Sequence, residues 1–445
     1  MSHEQQYIDI FEQNSALIEK HSAPLLNSCR QQAIEHFAQA GLPGRKDEAW
    51  RHTDIAKRFA ADYGMNLGRA QADINADSLF TCDVPNLKAH RAYIVNDSFH
   101  AAANKGGLPN GVLLGSLRDL AASHPTLLQP YYNSLAANGD SIVQFNTAFA
   151  QDGVLLYIPS NTVIEETIQI VSLIHANVDI MLNRRLLIIA GENSRANILL
   201  CDHSSHDKHS LSTQVTEIFV EQGATLNLYE LEETAHTNTR VASLFVQQMA
   251  DSSFNHCNVT LTNGFTRNTI AVSLEGRGAH TSINGLAIGD KQQHIDNNTL
   301  VGHKVPDCTS EELYKYILDD FSTGVFNGKM HIHQGAQRTA SQQTNRNLCL
   351  TNCAHMYAQP QLEIYADDVK CSHGSTVGQL DENALFYMQQ RGIPADEARH
   401  LLMYAFAGEV IENIDIAPIK ERLHLLVEKR FRGELNKCKG CNLCK

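Results

Sequence analysis

A long series of short β-type runs, with almost no helical period, occupies residues 140 to 378 and constrains the fold more than any other feature. Runs such as Val154–Ile158, Ile168–Val171 and Leu186–Ile189 are separated by turn-forming Gly, Asn or Asp, as at Glu192–Ser194. Many short strands at nearly even spacing are typical of a β-sandwich, a β-barrel or a β-solenoid.

Three features of this strand zone favour the solenoid. The zone is very long for a sandwich, whereas stacked coils grow without a spherical core. Asn-Gly pairs, the strongest hairpin signal, are isolated, as at Asn263-Gly264 and Asn327-Gly328. Asn, Gln and Thr recur beside the strands, as side-chain ladders between stacked coils allow. Because a solenoid must cap its exposed ends, we expect non-solenoid elements at both termini.

Helical spacing returns at both ends of the chain. A helix is predicted from Pro24 to Phe37, and Gly41 would stop it. A short helix is predicted from Leu117 to Leu127. Trp50, the only tryptophan, is expected to anchor a turn against the core.

Proline opens two predicted helices near the C-terminus, at Pro394 and Pro418. The second is expected to end at Gly433. The chain therefore divides into a helical and mixed region (1–139), a solenoid (140–378), a helical region (379–435) and a Cys-rich tail (436–445). The residues expected to be buried in the two helices are Ala398, Leu401, Leu402, Ala405 and Phe406, then Leu423, Leu426 and Val427.

Charge and composition exclude several classes of protein. The net charge is −13, with 36 basic against 49 acidic residues, so the basic face that nucleic-acid binding requires is not expected. The first residues, Met1 to Gln13, lack the apolar stretch of a signal peptide, and no apolar run approaches the ~18 residues of a membrane span. We therefore expect a cytoplasmic protein whose 11 cysteines are thiols or metal ligands.

The stretch from Pro360 to Gly378 carries the most chemistry. It reads as a strand end followed by a Gly-rich turn, and Cys371 and His373 would project to the same side of a strand. A thiolate and an imidazole suit iron or another soft metal, and a Cys–His pair can activate a thiol for sulfur chemistry. A buried Cys beside a His bonded to the turn backbone is the structural alternative.

This stretch resembles the signature of the SufB/SufD family of iron–sulfur cluster assembly proteins, and Cys371–Gly378 is closer to its SufD branch than to its SufB branch. Arg338–Leu348 and Lys46–Asp54 also resemble the family. The resemblance therefore reaches both ends of the chain and the strand zone.

The resemblance implies a right-handed parallel β-helix between helical ends. It also implies a scaffold subunit that pairs with a SufB-type subunit through the β-helices and recruits the ABC-type ATPase SufC through the C-terminal helices. A transient iron–sulfur cluster, or iron, would form at the interface with the SufB-type subunit. The resemblance implies a role for His373 in cluster assembly at this interface and, less directly, one for Cys371. Exposed residues near Tyr404 and Phe406 are the first candidates for ATPase docking.

The tail departs from the family pattern. Cys438, Cys441 and Cys444 form C-x-x-C-x-x-C, whose thiolates could converge on one metal or cluster, with a fourth ligand from elsewhere. Incidental thiols are the alternative interpretation.

Other metal-type clusters are weaker. His203, His206 and His209 lie near Cys201 and are expected in a solvated loop, and the pair His331 and His333 is expected to be structural.

No Walker motif, G-x-x-x-x-G-K-[ST], is present, so we expect no nucleotide on this chain and no enzyme activity of its own.

Three alternatives to a SufD-type subunit remain open. A SufB-like subunit and a self-sufficient homodimeric scaffold are the nearer alternatives. A β-helix carbohydrate enzyme would need a carboxylate pair, for which Asp319-Asp320 and Asp367-Asp368 are poor candidates because neighbours on a strand face opposite sides.

Overall fold

The computed structural model describes residues 3–69, 76–80, 84, 86–102, 107–205 and 208–434. Short 3-10 turns occupy Glu48–Trp50 and Ala136–Asn138. None of the helices in these ranges is long and apolar enough to cross a membrane. The α-helices are α1 (His3–Lys20), α2 (Pro24–Asn27), α3 (Arg30–Ala40), α4 (Ala56–Phe59), α5 (Ala76–Leu79), α6 (Leu117–Ser123), α7 (Pro125–Leu128), α8 (Ser141–Phe149), α9 (Glu382–Gln390), α10 (Ala395–Ile411) and α11 (Ala417–Phe431).

The strands lie mostly between α8 and α9, but three of them precede α8. They are β1 (Ala89–Val95), β2 (Ser98–Ala101), β3 (Leu113–Ser116), β4 (Gly153–Ile158), β5 (Thr167–Ile174), β6 (Ile180–Ala190), β7 (Arg195–Ser204), β8 (Ser210–Val220), β9 (Thr225–Glu233), β10 (Asn238–Gln248), β11 (Ser253–Thr262), β12 (Phe265–Leu274), β13 (His280–Gly289), β14 (His294–His303), β15 (Thr309–Leu318), β16 (Thr323–Ile332), β17 (Thr339–Cys349), β18 (His355–Ile364) and β19 (Val369–Gly378).

From β4 onward, successive strands alternate between two sheets, and each strand pairs in parallel with the strand two positions later. One sheet runs in the order β19-β17-β15-β13-β11-β9-β7-β5-β1-β2, and the other in the order β18-β16-β14-β12-β10-β8-β6-β4-β3. Among the strands that the structure describes, only the outermost pairs, β1 with β2 and β3 with β4, are antiparallel. The result is a β-solenoid of about 7 turns flanked by helices at both ends of the chain, which confirms the predicted fold class.

The apolar core lies between the two sheets. Side chains at equivalent positions of successive coils stack in columns, for example Ile188, Ile218, Val246 and Val272, none more than 2% exposed. β-branched residues suit these columns because they pack on a pleated surface. Burying each such side chain contributes roughly 1.5–3 kcal/mol.

Polar ladders also join the coils, as the recurrence of Asn suggested. Asn255 Nδ2 donates to Asn227 Oδ1 over 2.7 Å, and Asn227 Nδ2 donates to Asn197 Oδ1 over 2.8 Å. Each residue is the register partner of the next, so one hydrogen-bonding column crosses three coils.

The N-terminal helices cover the outer face of the sheet that contains β6, β8, β10 and β12. Phe11, Phe37 and Phe145 pack there with outward-facing residues such as Met181 and Val241. The predicted Pro24–Phe37 helix is two helices, because α2 ends at Asn27 and α3 begins at Arg30. α3 ends at Gly41, whose φ of 68° is accessible to glycine without strain.

The predicted Leu117–Leu127 helix is likewise broken, into α6 and α7. His124 takes a non-helical conformation before Pro125, as residues that precede proline do.

The C-terminal helices α10 and α11 cover the outer face of the other sheet. In α11 the predicted residues Leu423, Leu426 and Val427 are at most 2% exposed. In α10 the prediction was right at Ala398, and Leu402 and Phe406 are half-buried, but Leu401 is 40% exposed and Ala405 is also exposed. The fully buried residues of the helix are Ala398, Met403, Ala407, Val410 and Ile411. The helix touches α9 and α11 as well as β13 and β15 of the sheet.

Candidate functional site

The predicted signature Pro360–Gly378 forms the end of β18 and all of β19, the last strands of the two sheets. In the described part of the chain, β19 pairs only with β17, which leaves its other edge unpaired. Every β19 residue except Val369 and Cys371 is exposed. The signature is therefore the open end of the solenoid rather than part of its core.

Cys371 and His373 project to the inward side of β19, as predicted from their spacing. Their register partners on β17 are Ser341 and Gln343, both buried. Their backbones are separated by about 6.6 Å along the strand, and the structure shows no hydrogen bond between the two side chains. The arrangement thus brings the two residues to one side without pairing them.

The environments of the two residues differ. Cys371 packs beside Ile332, Ala336 and Ala366, and burial raises the pKa of its thiol. A metal that bound Cys371 would have to displace this proton, because a coordinating cysteine is a thiolate. His373 is exposed and makes no hydrogen bond or ion pair with any residue that the structure describes. Of the two, His373 is the more accessible.

Below His373, the inward face is polar instead of apolar. Gln343 donates from Nε2 to Glu312 Oε2 over 2.6 Å, and Glu312 is the register partner of Gln343 one coil further in. Burial raises the pKa of the Glu312 carboxyl to about 7. One column of inward positions, Glu312, Gln343 and His373, therefore leads from the interior to the open end. Sequence reasoning missed its two inner members.

A neighbouring polar column lies below Cys371. Ser341 Oγ and Ser310 Oγ are 2.8 Å apart, and Ser310 Oγ lies 2.8 Å from His303 Nε2. Burial lowers the pKa of His303 to about 4, so its imidazole is neutral at physiological pH. Beyond His373, Ser375 donates to Asn345 over 3.1 Å. The last coils thus give the open end a continuous polar lining.

The N-terminal motif Lys46–Asp54 lies on the outer face of this same end. Trp50 is 4% exposed and stacks under the Arg267 guanidinium at 4.5 Å, which places it in the anchoring role predicted from the sequence. His52 stacks on Tyr357 of β18 with ring centroids 4.0 Å apart. Gln361 of β18 donates to Glu48 over 3.3 Å. Motifs more than 300 residues apart in sequence therefore meet at the last coil.

The C-terminal helices are fixed to the solenoid by a buried lysine. Lys315 of β15 donates to the carbonyl of Phe406 over 2.9 Å, pairs with the Glu409 carboxylate, and lies 4.2 Å from the Phe406 ring centroid. Tyr404 is half-buried, and its ring centroid is 5.3 Å from that of His424. In contrast, α9 buries none of its residues, and Phe386 and Tyr387 are 63% and 59% exposed.

The weaker histidine clusters lie on β16 and β7 and in the segments that follow these strands. His331 and His333 stack with ring centroids 4.2 Å apart, and His331 Nδ1 lies 3.7 Å from Glu363, a residue that also pairs with Lys329. Cys201 and His203 lie on β7 rather than in a loop. Cys201 is buried, and His203 lies beside Glu233. His206 lies outside the described residues. Across the described ranges, no three His, Cys, Asp or Glu side chains converge as a metal site would require.

The remaining predicted features are the tail cysteines and the two aspartate pairs. Cys438, Cys441 and Cys444 of the tail lie outside the described residues. The two aspartate pairs lie in turns, after β15 and before β19, and not on strands as the argument about opposite faces assumed. Asp320 takes a positive φ of 50° in its turn and accepts from the Lys291 amide over 3.0 Å.

Comparison with known proteins agrees with this architecture. Residues 1–170 match the family model described as SufBD protein N-terminal region, and residues 173–406 match the one described as SUF system FeS cluster assembly, SufBD core domain. An iron–sulfur cluster assembly SufBD family protein of Synechocystis is 28% identical over 91% of this chain and 91% of its own length.

Two relatives carry the name iron–sulfur cluster assembly protein SufD. The one from Bacillus subtilis is 24% identical over 97% of this chain and 99% of its own length. The one from Escherichia coli is 37% identical, but over 41% of this chain and 43% of its own length. Because the core model alone matches more than half of the sequence, the chain belongs to the SufBD family of iron–sulfur cluster assembly proteins.

Proposed function

We propose that the chain is the SufD-type scaffold subunit of a complex with a SufB-type subunit and the ATPase SufC, and that it takes part in cluster building without enzyme activity of its own. One observation carries the proposal: the family signature forms an exposed edge strand with an unpartnered His373 at its centre. The names of the two SufD relatives support the same assignment.

The open edge of β19 suits the partner. An unpaired strand edge offers a row of backbone donors and acceptors to a second chain. A SufB-type subunit that pairs there would lie beside His373, whose neutral imidazole can bind iron. Iron, or the growing cluster, is the cargo of this site, and the partner supplies its remaining ligands. Cys371, with its raised pKa, packs the coil below in this scheme.

In this proposal the ATPase binds the C-terminal helices. Phe386 and Tyr387 on α9, with Leu401 on α10, are large apolar side chains left exposed. Aromatic residues dominate the energy of protein interfaces, so these are better anchors than the half-buried Tyr404 and Phe406. Lys315 holds α10 rigidly against β15 and so fixes the position of this surface.

A SufB-like or self-sufficient homodimeric scaffold is the second candidate. The observation that favours it is the C-x-x-C-x-x-C tail, whose three cysteines could hold iron without a partner. The chain in either case works in the cytoplasm, where reducing conditions maintain thiols such as the seven free cysteines in the described ranges.

The test is the iron and sulfide content of the complex co-expressed with SufB-type and SufC-type subunits and purified through this chain. His373→Ala should lower both contents at least several-fold while the three subunits still co-purify. Ser372→Ala is the matched control, because Ser372 is an exposed neighbour on the opposite face of β19. Unchanged iron in His373→Ala, with loss in a variant carrying Ser at Cys438, Cys441 and Cys444, would move the chemistry to the tail.

A further inference from the structure

The column beneath His373 has an unusual inner member. Gln343 is 1% exposed and is the register partner of His373 on the neighbouring strand, so their side chains project in parallel from strands about 4.8 Å apart. The side-chain oxygen of Gln343, Oε1, is buried without a hydrogen-bond partner among the described residues. A buried carbonyl oxygen in this state keeps its desolvation cost, which a donor nearby would recover.

Two neighbours fix the Gln343 amide. Its nitrogen donates to Glu312 from one side. From the opposite sheet, Gly328 leaves the space that the amide occupies, since a Cβ built there would lie 2.3 Å from Gln343 Nε2. With the nitrogen committed to Glu312, the oxygen is left to face elsewhere. Among the described residues, Gln343 is thus a fixed acceptor without a donor, and the neighbouring ring of His373 has no hydrogen-bond partner.

We infer that Gln343 is a positioning residue for His373: its Oε1 accepts a hydrogen bond from one ring N–H and leaves the lone pair of the other ring nitrogen available to iron. This inference rests on the proposed function for the identity of the metal, but not for the hydrogen bond itself. Histidines that bind metals usually donate their second ring N–H to a carbonyl or carboxylate, which fixes the tautomer and the ring orientation.

The side chains of this column therefore divide the work. His373 contacts the cargo, Gln343 sets which nitrogen of His373 carries the proton, and Glu312 holds Gln343 in orientation. Gln343 does not touch iron in this scheme. Without it, His373 would rotate freely at the exposed edge and would populate both neutral tautomers as imidazole does in water.

The experiment is side-chain ¹H–¹⁵N NMR on the isolated full chain, deuterated and labelled at histidine nitrogen, at a pH where the imidazoles are neutral. The His373 signals are those lost in His373→Gln. We expect a single His373 tautomer in the wild type, and a tautomer ratio shifted roughly five- to tenfold in Gln343→Met, which keeps the length of the side chain but removes the acceptor. Gln343→Glu, which keeps an acceptor oxygen, should retain the single tautomer.

Gln342→Met is the matched control, because Gln342 is exposed on the opposite face of β17 and should leave the His373 signals unchanged. If Gln343→Met does not fold, Gly328→Ala displaces the amide from the other side and should give the same shift. Identical His373 signals in the wild type and in the folded variants would overturn the inference. Because this readout needs neither partner nor iron, a fixed tautomer together with unchanged iron in His373→Ala complexes would refute the proposed function alone.

Discussion

Replacing Glu312 by Gln should remove a pH dependence of stability that the solenoid interior imposes. The carboxyl is 3% exposed, and burial raises its pKa from the ordinary 4.5 to about 7. Between these two pH values the folded state holds a proton that the unfolded state has lost. The contribution of the group to stability is therefore fully present below about pH 4.5, falls as pH rises, and is lost above about pH 7.

The magnitude follows from the shift. A change from 4.5 to about 7, at 1.36 kcal/mol for each pKa unit, corresponds to about 3 kcal/mol of unfolding free energy. Gln at position 312 keeps the size of the side chain and an acceptor for the Gln343 amide, but it cannot ionise. We expect Glu312→Gln to match the wild type near pH 4.5 and to exceed its stability by up to about 3 kcal/mol at pH 8.

The assay is urea unfolding followed by circular dichroism at intervals between pH 4.5 and 8. Glu311→Gln is the matched control, since Glu311 is exposed on the outer face of β15. Burial also raises the pKa of Glu232 to about 7, but that residue is present in all three chains and cancels in the difference. If the unfolding free energies of the wild type and Glu312→Gln change with pH in parallel, position 312 does not carry a buried carboxyl with a raised pKa.

Three further substitutions test how the coils and helices are held. Trp50→Ala should destabilise the chain by about 3–5 kcal/mol in thermal unfolding, because a buried indole and its contact with a guanidinium are lost, whereas the exposed Arg51→Ala should change little. Lys315→Met should lower the free energy of unfolding by about 1–2 kcal/mol and speed hydrogen exchange in α10. This loss should shrink in acid, because Lys315 lowers the pKa of Glu409 and the ion pair is lost as pH falls through that lowered value. Asn227→Leu should cost about 1–3 kcal/mol in urea unfolding by breaking the ladder to the coils on either side; an unchanged midpoint would contradict that role.

The solenoid was predictable because its signal is repeated. Short β-branched runs between turn residues recur over the whole core, and no single run had to be interpreted alone. Helix faces were less predictable. In α11 the buried residues Leu423, Leu426 and Val427 were found from their spacing. α10 packs against α9 and α11 as well as the sheet, so spacing alone could not fix its rotation.

The site was predictable only in part. The resemblance singled out His373, and strand alternation placed it correctly on the same side as Cys371. Gln343 and Glu312 escaped notice because a polar residue in a strand is ordinary until the register is known. Each lies about 30 residues from its partner in the next coil, and only the stacking of coils shows that the three form a column. The packing of Cys371 was an open alternative from the sequence, but its partners Ile332, Ala336 and Ala366 are brought together only by the stacking of coils.

The most direct test of the central claim is purification of the wild-type chain from cells that co-express SufB-type and SufC-type subunits of the same genome, with the tag on this chain. The account predicts that both partners co-purify, that the complex carries iron and sulfide, and that Phe386→Ala with Tyr387→Ala releases the ATPase while the SufB-type subunit stays bound. A wild-type chain that is isolated without either partner, in the presence of both, would contradict the assignment as a scaffold subunit.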